Sequence, residues 1–131
     1  MKANELRVGN LVTYRSLKEL KVMELLSTFT RVLIDNNQTD WISVGYDFLD
    51  PIPLTEEWLL KFGFEKTKEN FLTYDLGKLS IYMPSFHYKK GRTYFNSWVI
   101  IEESPKTVHQ LQNLYFCLCG KELELNKQNV M

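Results

Sequence analysis

Apolar and polar positions alternate near the start of the chain. Residues 9–15 (GNLVTYR) set Leu11, Thr13 and Arg15 on one face and Val12 and Tyr14 on the other. That period of two belongs to a strand with one buried side. Residues 20–26 and 30–34 follow, both rich in side chains that suit a pleated surface. Asp35, Asn36, Asn37 and Gln38 form a polar turn, and residues 41–44 return as a short strand. Short strands joined by tight turns predict a small curled antiparallel sheet, of the kind that closes into an open barrel such as the Src-homology-three fold.

The pattern changes at residues 50–53 (DPIP). The prolines fix φ and remove donors, so this stretch is a stiff connector. Thr55 is a predicted N-cap, with Glu56 and Glu57 in the first turn, where the helix dipole favours negative charge. Trp58, Leu59 and Phe62 then recur at helical spacing, and Gly63 supplies a left-handed C-terminal residue with Phe64 packing back. Residues 71–76, 79–83 and 94–102 read as three more strands, the first two joined through Gly77 and Lys78. A final helix over 105–119 is expected, with Ser104 as cap, Pro105 in the first turn and Gly120 as the stop. Its apolar stripe carries Val108, Leu111, Leu114, Tyr115 and Leu118. Trp58, Phe62, Leu111, Leu114 and Leu118 are the predicted core of the two helices.

These elements define an α+β fold: an N-terminal antiparallel sheet of short strands, then helix, three antiparallel strands and helix. A length of 131 residues fits one domain. Within it, 1–50 is strand-rich, 51–126 is the helix–strands–helix part, and 127–131 is a polar tail. Hydrophobic residues at 44% and charged residues at 24% describe a globular chain.

Sixteen basic and sixteen acidic residues leave no net charge, so global electrostatics steer the chain toward neither nucleic acid nor a membrane. No apolar run approaches the length of a membrane span, and the start (MKANELRVGN) lacks a signal-peptide core. The two cysteines, Cys117 and Cys119, point to different faces of a helix and are expected as unpaired, buried thiols. These features predict a cytoplasmic protein.

Candidate chemistry is sparse. His109 lies eight residues before Cys117, about 12 Å along a helix, too far to pair nucleophile with base. With diverging thiols and isolated histidines, no zinc site is expected. Glu56 and Glu57 read as dipole partners, and Glu102 and Glu103 as a solvated pair; neither carboxylate pair is spaced as an acid and base. There is no glycine-rich phosphate loop, GxSxG or HExxH. The expectation is a non-enzyme with no catalytic residue, no metal and no cofactor.

Residues 51–64 (PIPLTEEWLLKFGF) and 108–123 (VHQLQNLYFCLCGKEL) resemble the two signature segments of a family of small uncharacterised proteins. The opening MKANELRVGNLV is also similar to how its members begin. That family occurs in Bacteroidetes genomes and in their phages and mobile elements. The resemblance implies a bacterial or phage protein and carries over no ligand or catalytic residue.

Two segments could bind a partner. Residues 84–96 (PSFHYKKGRTYFN) interleave Phe86 and Tyr88 with Lys89, Lys90 and Arg92 and hold no acid. Stacking rings beside phosphate-neutralising cations are what a single-stranded nucleic-acid surface needs; the same segment also fits a basic hairpin loop whose rings pack into the core. On the last helix, Gln112, Tyr115 and Phe116 stand near the apolar stripe, where amides beside two rings 100° apart would suit a protein partner or self-association. The expected function is a non-catalytic protein-interaction module; the alternative is single-stranded nucleic-acid binding through residues 84–96.

Overall fold

The computed structural model describes residues 1–15, 17–34, 41–66, 73–77, 79–82, 92–95, 99–103 and 105–125. At 17–18, 92–95 and 99–103 the description is of the backbone alone. Among the described residues nine strands form two antiparallel sheets and two α-helices pack into the second core, giving the α+β class that the change of hydrophobic period predicts.

The first sheet is a meander of β1 (Leu11–Tyr14), β2 (Leu17–Leu25), β3 (Phe29–Leu33) and β4 (Trp41–Gly45), paired in sequence order. Tyr14 pairs with Leu17, so a two-residue turn joins β1 to β2, and Arg15 takes φ +53 to make it. Such turns need positive φ because their twist must match that of the strands. Glu19, at φ +59, is the extra residue that shifts the register between Val12 and Tyr14. A second shift lies between Val22 and Glu24. Bulges bend a strand and raise its twist, and these two curl the sheet into a half-barrel. Its concave side holds Leu6, Val12, Leu20, Val22, Val32 and Val44, closed below by Tyr46 and Leu49.

After β4 a 3₁₀ turn (Tyr46–Phe48) swings the chain back toward β1. Thr13 and Asp50 then exchange both backbone hydrogen bonds, each 2.9 Å, and seal that edge of the curl.

The second unit opens with α1 (Glu56–Lys61), where the Thr55 hydroxyl accepts from Trp58 N at 3.4 Å. Gly63, at φ +94, ends it: Gly63 N donates to Leu60 O and Phe64 N to Leu59 O, the reciprocal pair of a Schellman stop. The five-stranded sheet runs β5 (Glu65–Lys66), β6 (Thr73–Leu76), β7 (Leu79–Tyr82), β8 (Arg92–Phe95) and β9 (Val99–Glu103), again in sequence order. Then comes α2 (Val108–Cys119), stopped by Gly120 in the left-handed region at φ +72. Trp58, Leu59, Phe62, Phe64, Leu79 and Ile81 pack with Leu111 and Tyr115 in one core.

Four expectations are corrected. The strand expected over 94–102 is two, β8 and β9, which pair antiparallel with Phe95 against Val99. β5 is an additional two-residue strand. The last helix starts at Val108 with Thr107, not Ser104, as its cap. Residues before it are held extended because Leu54 N donates to Lys106 O (3.0 Å) and Val108 N to Ile52 O (2.8 Å). Finally, Leu114 and Leu118 are half-buried, whereas Trp58, Phe62 and Leu111 are buried as expected. The buried residues of α2 are Val108, His109, Leu111, Gln112 and Tyr115, a stripe rotated from the expected one so that it takes in a histidine and a glutamine.

Candidate functional site

A cluster of polar side chains that includes Gln112 lies where the N-terminal segment crosses α2. Gln112 is 3% exposed. Its Oε1 accepts from Leu11 N at 2.8 Å and its Nε2 donates to Gly9 O at 3.1 Å. A buried amide must satisfy both ends, and Gln112 does so on the backbone that leads into β1. Asn113 stands beside it: its Oδ1 accepts from Arg7 Nη1 and from Asn10 Nδ2, both at 2.8 Å, and its Nδ2 donates to Glu5 O at 3.2 Å. Asn10, fully buried, accepts from Arg7 N at 2.7 Å. Arg7 also pairs with Glu122 just beyond α2, and its guanidinium lies 4.0 Å above the Phe116 ring. This clasp joins the half-barrel's leading strand to the last helix.

His109 belongs to the same junction. It is 5% exposed, and its Nδ1 lies 3.3 Å from the Thr107 hydroxyl, which also caps α2 by accepting from Gln110 N. Burial pushes the imidazole below its ordinary pKa, against the weaker upward pull of the Glu5 carboxylate. Tyr74, in β6, is pushed the other way, first by burial and then by the charge and hydrogen bond of Glu56.

The protein therefore uses Gln112 and Tyr115 internally; Tyr115 is 9% exposed within the helix core. Of the three residues expected to face a partner on α2, Phe116 alone reaches the surface, with Arg7 covering one side of its ring. Cys117, expected to be buried, is exposed, and Cys119 is half-buried; both are free. Phe86, Tyr88, Lys89 and Lys90 lie outside the described residues. Arg92 opens β8 and pairs with Tyr82 across the hairpin and with Glu103 on the other side. No group of histidines, cysteines and carboxylates among the described residues is arranged to hold a metal ion, and no helix among them is long and apolar enough to cross a membrane.

The feature that sequence reasoning missed is a sheet edge. Two open sheets have four edges, and exposed edges are normally blunted by charge, proline, a bulge, brevity or a covering segment. β1 is covered by the Asp50 bridge, and its Leu11 N–H is taken by Gln112. β5 is two residues long and both are charged. β9 ends in two glutamates and is bulged against β8. β4 carries no charge, proline or bulge, and no described strand pairs with it besides β3: its sequence is WISVG. Among the described residues, no backbone hydrogen bond other than those to β3 reaches Ile42, Ser43, Val44 or Gly45. Trp41 and Phe48, at the two ends of this edge, are 44% and 64% exposed. The missing charge in WISVG was legible, but that β4 is an edge follows only from the pairing order.

Comparison with protein-family models, with curated proteins and with solved structures found no match in any of the three. What fold and site define is thus a class: an α+β protein with a curled N-terminal sheet clasped to a C-terminal helix.

Proposed function

We propose that this chain is a non-catalytic protein-interaction module of bacterial or phage origin, and that it takes an extended segment of its partner along β4. The observation that carries the reading is the unguarded edge. An unpaired row of N–H and C=O groups is a template for a further strand, with backbone bonds supplying affinity and alternate side chains supplying specificity. β4 has β3 as its one strand neighbour among the described residues, with exposed Ser43 on one face and Ile42 and Val44 continuing the half-barrel interior on the other. The polar groups of α2, by contrast, are consumed in the clasp.

A selection of displayed random peptides on the immobilised protein tests it. Enrichment of β-branched, alternating sequences is expected, with amide shifts on peptide addition concentrated at residues 41–45. No enrichment, or shifts centred on α2, refutes the reading.

One observation favours single-stranded nucleic-acid binding as a second reading. The β7–β8 register sets the backbone of Arg92 opposite that of Tyr82, and the sequence between them interleaves rings with cations, the composition such surfaces use. Titration of labelled oligonucleotides separates the two readings.

A further inference from the structure

We infer that His109 makes the clasp an acid-sensitive latch: a proton on its imidazole lets the N-terminal segment part from α2, in a partial opening that leaves both cores folded. This latch is independent of strand addition at β4.

His109 and Asn113 are four residues apart and share a face of α2. The N-terminal segment lies along that face. Asn113 Nδ2 donates to Glu5 O at 3.2 Å, Arg7 Nη1 donates to Asn113 Oδ1 at 2.8 Å, and the Arg7 guanidinium covers the Phe116 ring one turn further on. His109 is the buried N-terminal end of this seat.

Its position suits a neutral ring and opposes a charged one. Burial withdraws an imidazolium from water. The ring stands in the first turn of α2, at the positive end of the helix dipole, and that turn holds no acidic residue to offset it. The Thr107 hydroxyl, 3.3 Å from Nδ1, already accepts from Gln110 N as the helix cap, which leaves its own proton for the neutral ring to accept. A proton on Nδ1 displaces that donation, because both ring nitrogens are then donors.

Two charged side chains reach this face from the N-terminal segment. The Glu5 carboxylate favours the proton, but less than burial opposes it. It also accepts from Lys2 N at 2.8 Å, which ties it to the start of its own 3₁₀ turn (Ala3–Glu5). Arg7 is engaged by Asn113 and Glu122 and brings a further positive charge. In the segment before α2, Lys106 is exposed. The segment can part without unfolding. Gly9 N donates to Val22 O at 2.7 Å and Val22 N to Asn10 O at 2.8 Å, so it stays anchored on β2. Its bonds to α2 are polar ones that water can replace.

Native-state amide exchange on the full chain, from about pH 7.5 to 5, is the test. The Leu11 amide, held by Gln112 Oε1, reports the clasp, and the amides of β7 report the second core. Leu11 should exchange through the partial opening and be less protected than β7 at every pH. Its protection, corrected for the intrinsic rate, should fall below about pH 6.5 by up to about tenfold per pH unit, because the opening takes up one proton. His109→Asn keeps an oxygen near Thr107 and takes no proton, so it should abolish the fall. Glu5→Gln keeps the bond to Lys2 N and removes the charge that favours the proton, so it should extend the fall to lower pH. A Leu11 protection that ignores pH, or one equal to that of β7, overturns the latch. So does a fall that survives His109→Asn. Should that variant not fold, Glu5→Gln decides by itself, and a fall that it leaves unchanged overturns the latch equally.

Discussion

Replacing Gln112 by leucine separates a buried structural amide from a surface one. Leucine is one atom shorter than glutamine but keeps helix propensity and an apolar stem, so the change chiefly removes two hydrogen bonds. The Leu11 N–H loses its acceptor at a residue only 8% exposed. An orphaned buried donor costs about 1–3 kcal/mol. Gly9 O loses its donor too, but Gly9 is half-buried and can turn to water, so its share is roughly 0.5–1 kcal/mol. Apolar burial of the new side chain returns about 1 kcal/mol. The net expectation is a loss of about 2 kcal/mol. Urea unfolding followed by circular dichroism measures it: with a slope of about 1–3 kcal/mol per molar, the midpoint should fall by roughly 1 M with the slope unchanged. A loss under about 0.5 kcal/mol, the usual size for a surface change, would refute the clasp and return Gln112 to the exterior of α2.

Further outcomes follow from other sites. His109 has a folded pKa below its unfolded one, so below about pH 6.5 the unfolded chain binds the proton more readily; stability should fall as pH drops from that value toward the folded pKa. His109→Leu should flatten that acid limb, and an identical limb in both proteins would show that another group causes it. Arg15→Gly relieves a positive φ at the β1–β2 turn and should raise stability by roughly 0.5–1 kcal/mol in the same unfolding assay; a loss would show that the Arg15 side chain matters more than its backbone. Leu111→Ala should cost about 2–5 kcal/mol and Leu114→Ala clearly less, because the first is fully buried and the second half-exposed; equal losses would contradict the observed rotation of α2. If residues 84–96 bind single-stranded nucleic acid, three phosphate contacts give a salt slope of about −2, and the triple change Lys89→Ala, Lys90→Ala, Arg92→Ala should abolish most of it. Absence of binding at low salt would end that second reading.

What the sequence determined by itself is local. The cap of α1 and the stops of both helices follow from single residues and their neighbours: Thr55 before two glutamates, Gly63 before Phe64, Gly120 after the apolar stripe. The strands of the first sheet follow from period-two alternation over 9–15 and from strand-compatible side chains over 20–26 and 30–34, both properties of the local sequence. Competition between segments lies beyond that range. Thr107 caps α2 because residues 52–54 pair with 106–108 and hold the chain before it extended, a contact more than fifty residues apart in sequence. Gln112 looks like a surface amide until Leu11 N and Gly9 O, about a hundred residues away, are brought to it; only then is burial cheaper than solvation. The β4 edge is the same lesson in reverse. WISVG reads as an ordinary strand, and hydrogen bonding between strands is blind to sequence distance. Only the order β1-β2-β3-β4, with Asp50 returning to β1 and not to β4, leaves β4 with a single strand neighbour among the described residues.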